Sequence, residues 1–236
     1  MKVRNLHPWD LTPKQAIALQ NELRGQVTRA DRIGDVSFVA GIDVGFEEGG
    51  AVTRAAVAVL SFPALEPVDA AIARLPTSFP YMPGLLSFRE APAVIAALQC
   101  IKTAPDLLLY DGQGIAHPRR LGIASHVGLL TDTPTIGVAK TRLIGSHAQV
   151  PDVRGSWVAL RDQGEVIGAV LRTRVGVKPL YVSIGHRISL ETAIRWVIAC
   201  TGRFRLPETT RHAHRLASGP ASGPPDGPLK LSRQRP

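Results

Sequence analysis

Residues 39–46 read Val-Ala-Gly-Ile-Asp-Val-Gly-Phe, and residues 106–114 read Asp-Leu-Leu-Leu-Tyr-Asp-Gly-Gln-Gly. Both are short apolar runs of the kind that form central strands buried on both faces. Each also carries an acid that the run does not explain. Asp43 interrupts the first, and burying a carboxylate is costly unless a hydrogen bond, a counter-charge or a cation meets it. Taken alone, Asp43 is equally a structural acid and a cation ligand. Asp111 closes the second run, just before a glycine-flanked turn. Ligands of α/β sheets gather at the carboxyl ends of strands, so Asp111 marks a site there.

Around these two runs the elements fall into a simple order. Thr12-Pro13-Lys14-Gln15 spells a helix start with a capping box, and Ile17, Leu19, Leu23 and Val27 supply an amphipathic pattern behind it. Strands are expected at 36–46, 51–62 and, more weakly, 67–75, with Glu47-Glu48-Gly49-Gly50 as the hairpin turn between the first two. A Pro-rich loop at 78–84 precedes a helix at 88–102, the strand 106–110, a helix at 121–130 and a strand at 134–138. Strands at 156–160, 166–172 and 180–184 follow, then helices at 189–200 and 207–216.

Three meandering strands followed by alternating helices and strands describe an α/β fold, a mixed sheet flanked by helices. The order is that of the ribonuclease H-like fold. In that fold the first and fourth strands lie side by side and parallel, which makes Asp43 and Asp111 neighbours. Paired carboxylates repel, and a divalent cation between them is the usual remedy. Hard oxygen ligands suit Mg²⁺, with Mn²⁺ as a substitute. Residues 1–216 are expected to form one domain, and the Gly-, Pro- and Ser-rich stretch 217–236 a disordered tail that cannot bury a core.

Composition narrows the class of partner. With 28 Lys and Arg against 19 acids, the 236-residue chain carries a net charge of +9, which favours a polyanion such as nucleic acid. A basic background or a basic tail would produce the same charge. Cys100 and Cys200 are far apart in apolar stretches and read as buried free thiols, with no zinc-binding spacing around them. There is neither an apolar stretch of membrane length nor a secretory leader, so a cytoplasmic protein with no membrane partner is expected, acting as a monomer.

A third acid has a good local explanation. Ser87-Phe88-Arg89-Glu90 is itself a capping box, in which Glu90 would serve only the helix end. The wider sequence points elsewhere. The blocks VAGIDVGF, FPYMPGLLSFREAP, DGQGIAHPRRLGIASHVGLL, TIGVAK, GHRISLETA and LPETTRHAHRLA span most of the chain from about Trp9 to Leu216. In this order they closely resemble the endonuclease V family. Departures are mild: Gln113 stands where an Asn is expected, and His212 adds a histidine to the last block.

The resemblance implies Mg²⁺-dependent nicking of DNA that contains deaminated bases, chiefly deoxyinosine. The bond cut would be the second phosphodiester 3′ to the lesion, leaving 3′-hydroxyl and 5′-phosphate ends. It carries the metal-binding carboxylates onto Asp43, Glu90 and Asp111. His214 falls where the family has Asp or His near the metal, and Lys140 ends a strand where a fixed cation can meet a phosphate. The loop Pro80-Tyr81-Met82-Pro83-Gly84 resembles the family's strand-separating wedge. Gly84, Leu86, Gly112, His117 and Gly122 resemble its pocket for the flipped base. His117 would contact the base or a phosphate, or else cap a helix. His7 and His147 read as surface residues, His126 as packed against the sheet and His186 as fixing a turn. Two rival functions stay open at this level: an endoribonuclease acting on inosine in RNA, and a nucleic-acid-binding module without catalysis.

Overall fold

The computed structural model describes residues 1–219 and 227–228. Helix α1 (Pro13–Leu23) comes first, with the expected cap: Gln15 N–H donates to Thr12 Oγ1, Thr12 N–H donates to the Gln15 side chain, and Pro13 opens the helix. Strands β1 (Phe38–Glu47), β2 (Val52–Ser61) and β3 (Pro67–Pro76) form an antiparallel meander. Helix α2 (Leu86–Cys100), strand β4 (Leu107–Tyr110), helix α3 (Ile123–Thr131) and strand β5 (Thr135–Ala139) follow. Strands β6 (Trp157–Asp162), β7 (Glu165–Leu171) and β8 (Leu180–His186) then lead to helices α4 (Leu190–Ala199) and α5 (Glu208–Ala217).

All strands join one sheet in the order β6-β7-β8-β5-β4-β1-β2-β3, with the two residues Gly227–Pro228 (β9) added beside β3. The pairs β1–β4 and β4–β5 are parallel and the others antiparallel. This is the mixed sheet of the ribonuclease H-like fold. β1 and β4 are its centre; β4 is wholly buried and so is β1 from Val39 to Asp43, which accounts for their apolar runs. On one face, α2 and α3 cover Ala40, Ile42, Leu108 and Tyr110; on the other, α4 and α5 cover Val39, Leu107 and Leu109.

Several expectations change. The third strand, weak in the sequence, is a full ten-residue strand whose Ala71 and Ala73 are buried in the core shared with β2 and α2. The buried face of α1 is Ala16, Gln20 and Leu23, whereas Ile17 is exposed. His7 is buried, not at the surface: its Nε2 lies 2.7 Å from His126 Nε2, in a cluster with Trp9 and Phe88. His126 therefore packs on this N-terminal aromatic group. Cys100 and Cys200 are both free; burial pushes the Cys200 thiol up to about 12, while Cys100 is only half-buried. Most of the expected tail at 217–236 lies outside the described residues, of which Ala217 closes α5. Among the described residues no helix is long and apolar enough to cross a membrane.

Candidate active site

The register of β1 on β4 brings the two strand acids together. Ile42 pairs with Tyr110, and Asp111 N–H donates to the Ile42 carbonyl at 3.0 Å. One residue further on, Asp111 leaves the end of β4 beside Asp43, which is still within β1. Residues 41, 43 and 45 of a strand share one face, and here two of the three are glycines. Helix α5 lies against that face. A Cβ on Gly41 would stand 2.0 Å from the Thr209 carbonyl oxygen, and one on Gly45 2.6 Å from that of Ala217. The missing side chains are thus what admit the helix, which runs along the strand from residue 41 to residue 45. The lengths agree: four strand residues span about 13 Å and eight helical residues about 12 Å.

So seated, α5 holds His214 over the one side chain on that face. His214 Nδ1 lies 2.6 Å from Asp43 Oδ2, and Asp43 Oδ1 accepts from Val44 N–H at 2.9 Å. An ionised carboxylate only accepts, so Nδ1 is the donor in this contact and Nε2 is the ring nitrogen left over. Ligand atoms of Asp43, Asp111 and His214 all lie within 4.8 Å of one another. Lys140, just past the end of β5, places Nζ 2.5 Å from Asp111 Oδ2 as an ion pair. The acids form a buried floor, while His214 and Lys140 stand partly exposed at its rim.

Glu90 comes from α2, on the opposite face, and lies outside this 4.8 Å group. It does not cap its helix. α2 starts at Leu86, so Ser87 is already inside it, and the Ser87 hydroxyl is buried without a partner. The Glu90 carboxylate instead accepts from the Tyr110 hydroxyl at 3.2 Å. Burial, with Asp43 and Asp111 adding their charge, pushes Glu90 up to about 8 against the Tyr110 bond. Burial and Asp43 also raise Asp111, which Lys140 opposes. Three acids gathered in this way, two of them raised by burial and by the charge of Asp43, with one imidazole beside them, are a donor set that fits a divalent cation of the Mg²⁺ or Mn²⁺ kind.

The loop before α2 is built differently. Tyr81 is 73% exposed, with Met82 and Pro83 exposed beside it, while Leu85 is fully buried as the anchor. Core packing is therefore not what Tyr81 does. Gly84 has φ +79, a left-handed conformation that glycine adopts without strain. Leu86 is exposed at the first turn of α2. Gly112 and Gly122 line the turn after β4, and a Cβ on Gly122 would meet the Gln113 carbonyl oxygen at 2.3 Å. Gln113 itself donates to the Thr141 carbonyl at 3.1 Å.

His117 is only 4% exposed, and both of its ring nitrogens are engaged within the protein. Nδ1 accepts from Arg119 N–H at 3.2 Å, which leaves Nε2–H to donate to the Gly84 carbonyl at 3.0 Å. Burial, with the Arg119 charge, drives its pKa down to about 4. It neither caps a helix nor offers a free ring edge. His186 accepts from Thr28 N–H, and its Nε2 lies 3.5 Å from Asp132 Oδ1, so its contacts tie β8 to other segments and not to the turn into α4. Residues that the sequence reading passed over are Tyr110, Gln20 and Arg89. Arg89 stacks on Phe46 and donates to the carbonyls of Phe79 and Gly50, tying the hairpin to the loop.

Comparison with known proteins agrees with this geometry. The family model described as Endonuclease V matches residues 21–215. The Endonuclease V of Trichormus variabilis is 61% identical, over 92% of this chain and 99% of its own length. The crystal structure of Endonuclease V from Streptomyces avermitilis superposes with a TM-score of 0.85 at 43% identity, covering 92% of this chain and 96% of that one. An Endonuclease V from Ciona intestinalis, solved in complex with a 23mer DNA containing an inosine followed by a ribo-adenosine, superposes with a TM-score of 0.75 at 30% identity, covering 88% and 97%.

Proposed function

Because the chain belongs to the endonuclease V family, we propose that it repairs DNA carrying deaminated bases, chiefly deoxyinosine, by hydrolysing the second phosphodiester bond 3′ to the lesion. The products are a 3′-hydroxyl and a 5′-phosphate. The observation that carries this reading is the convergence of Asp43, Asp111 and His214 within 4.8 Å, where β4 ends beside β1 and α5 crosses them. A single chain supplies every group of the site, which suits action as a monomer.

Asp43 and Asp111, with His214 beside them and Glu90 behind, would hold Mg²⁺, or Mn²⁺ in its place. When bound, such a cation polarises the scissile phosphate and makes water a better nucleophile near neutral pH. Lys140 keeps a positive charge at the rim, where a phosphate oxygen can meet it. His214 is oriented by its Nδ1–H bond to Asp43, so Nε2 can take a proton from the attacking water or return one to the leaving oxygen. Tyr81, with Met82 and Pro83, enters the stack beside the lesion and replaces the base that leaves it. Gly84, Leu86, Gly112 and Gly122 border the space for that base, and His117 braces it from behind through the Gly84 carbonyl.

The test is an end-labelled duplex with a single inosine, incubated with Mg²⁺ and with EDTA. Cleavage at the second bond 3′ to inosine, only with Mg²⁺, is expected. Cleavage in EDTA, or at sites unrelated to inosine, would overturn the assignment. The same assay on inosine-containing RNA decides between the two nucleic acids.

A further inference from the structure

Gln20 is a polar residue on the buried face of α1 and is 1% exposed. Its amide is used in full. Nε2 donates to the Gly84 carbonyl at 3.0 Å and to the Leu121 carbonyl at 3.2 Å, and Oε1 accepts from Arg119 Nε at 2.5 Å. The two carbonyls belong to different loops. Gly84 ends the exposed loop that carries Tyr81, and Leu121 adjoins Gly122 at the far side of the turn after β4. Nε2–H of His117 and Nη2 of Arg119 also donate to the Gly84 carbonyl, the latter at 2.6 Å. Three donors on one carbonyl exceed its two lone pairs, so this oxygen is committed to the protein.

We infer that Gln20 is a positioning residue which sets the separation between the two loops bordering the flipped base, and so determines how strictly the pocket accepts hypoxanthine. The inference rests on the lesion-loop reading proposed above. The physical reason is reach. One planar NH₂ group with two fixed hydrogens spans the two carbonyls, so their spacing follows the amide. Helix α1 holds that amide rigid, because its capping box and the burial of Ala16 and Leu23 fix the helix. A flipped base is read by hydrogen bonds to its edge, which tolerate little displacement, and a shift near 1 Å costs on the order of 100-fold in rate.

Gln20→Met keeps the length and removes every hydrogen bond. Gln20→Glu keeps the acceptor for Arg119 but turns oxygen toward two carbonyls. Both are compared with the parent and with Tyr81→Ala on inosine-containing and undamaged duplexes and on single-stranded inosine DNA, and Mn²⁺ binding is measured by calorimetry. The expected result is a fall of about 10-fold or more in the preference for inosine in both Gln20 variants, chiefly through KM, with Mn²⁺ affinity unchanged. Unchanged preference in either variant overturns the inference. So does an equal loss on all substrates that tracks a loss of Mn²⁺ binding, since Gln20 would then matter only to the fold. If Tyr81→Ala discriminates between paired and unpaired inosine while the Gln20 variants keep full preference, this inference fails alone. If Tyr81→Ala does not discriminate, the lesion-loop reading fails with it.

Discussion

Gly41→Ala tests how the site is assembled, because it adds one methyl group where helix α5 rests on strand β1. The new carbon would stand 2.0 Å from the Thr209 carbonyl oxygen and 2.6 Å from Thr210 N. Ordinary contact is about 3.5 Å, so helix and strand must part by roughly 1.5 Å. Both opposing atoms are backbone, so no side-chain rotation relieves the clash. Overpacking of this kind costs about 1–3 kcal/mol, which for a chain of this size lowers Tm by about 3–10 °C. The displacement also reaches His214, whose 2.6 Å bond to Asp43 depends on the seat. A shift near 1 Å costs on the order of 100-fold, or about 2.7 kcal/mol of barrier. Thermal melts and single-turnover nicking of an inosine duplex, at saturating enzyme and Mg²⁺, measure the two effects separately. Gly45→Ala, opposed only by the Ala217 carbonyl at 2.6 Å, should lose less of both. A Gly41→Ala protein with parental Tm and rate would refute the helix seat. A lowered Tm with an unchanged rate would show that the position of His214 is not what limits turnover.

Three further outcomes follow from the same geometry. Asp43→Ala and Asp111→Ala should each reduce nicking at least about 1,000-fold while leaving the far-ultraviolet circular dichroism intact, because each removes a candidate ligand for the Lewis acid; Glu90→Gln, which keeps an acceptor for Tyr110, should also lose activity, and full turnover in it would remove Glu90 from the metal set. Tyr81→Ala should lose rate chiefly on inosine within a paired duplex and recover much of it on single-stranded inosine, since opening a stack costs a few kcal/mol only where a stack exists; an equal loss on both substrates would argue against the wedge. His117 titrates at about 4 in the folded protein and near 6.5 when unfolded, so between those values only the unfolded chain takes up the proton and stability falls as the pH drops. Between pH 7 and pH 5 this amounts to about 2 kcal/mol, and urea melts of His117→Gln should show a shallower acid loss by that amount, whereas an identical pH slope would mean that His117 is not held neutral.

The parts of the fold that were legible in advance are those whose signal is local. The apolar runs of β1 and β4 announce burial on both faces, and the Thr12 box announces a helix that does form. Asp43 and Asp111 stood out because an acid inside such a run needs a reason. The residues that escaped notice take their partners from far along the chain. Gln20 bonds to residues 64 and 101 positions away, so counting apolar residues at helical spacing picked Ile17 and Leu19 over the face that is buried. His7 is buried by a histidine 119 positions away, and no local pattern encodes that. The Ser87–Glu90 signature is sound as local chemistry, but Glu90 finds Tyr110 on a neighbouring strand, and the helix starts two residues too early for the box to close.

The glycines of VAGIDVGF are the instructive case, because their meaning was present in the spacing. A strand alternates its side chains, so Gly41, Asp43 and Gly45 occupy one face and Ile42 and Val44 the other. Read as a run, the segment is simply apolar. Taken face by face from residue 41 to 45, one side is a packed surface and the other is bare backbone with one carboxylate standing on it. A bare face of that length costs strand stability and leaves the backbone uncovered unless something lies directly upon it. A helix does, and Asp43 is the one side chain on that face to meet what the helix brings. The two flanking glycines thus specify close approach, and the acid between them specifies where along the helix the partner must sit. His214, five and four residues on from Thr209 and Thr210 at Gly41, and three before Ala217 at Gly45, is the residue that arrives there. The site is therefore encoded in the pattern of absent side chains on β1 as much as in the acids themselves.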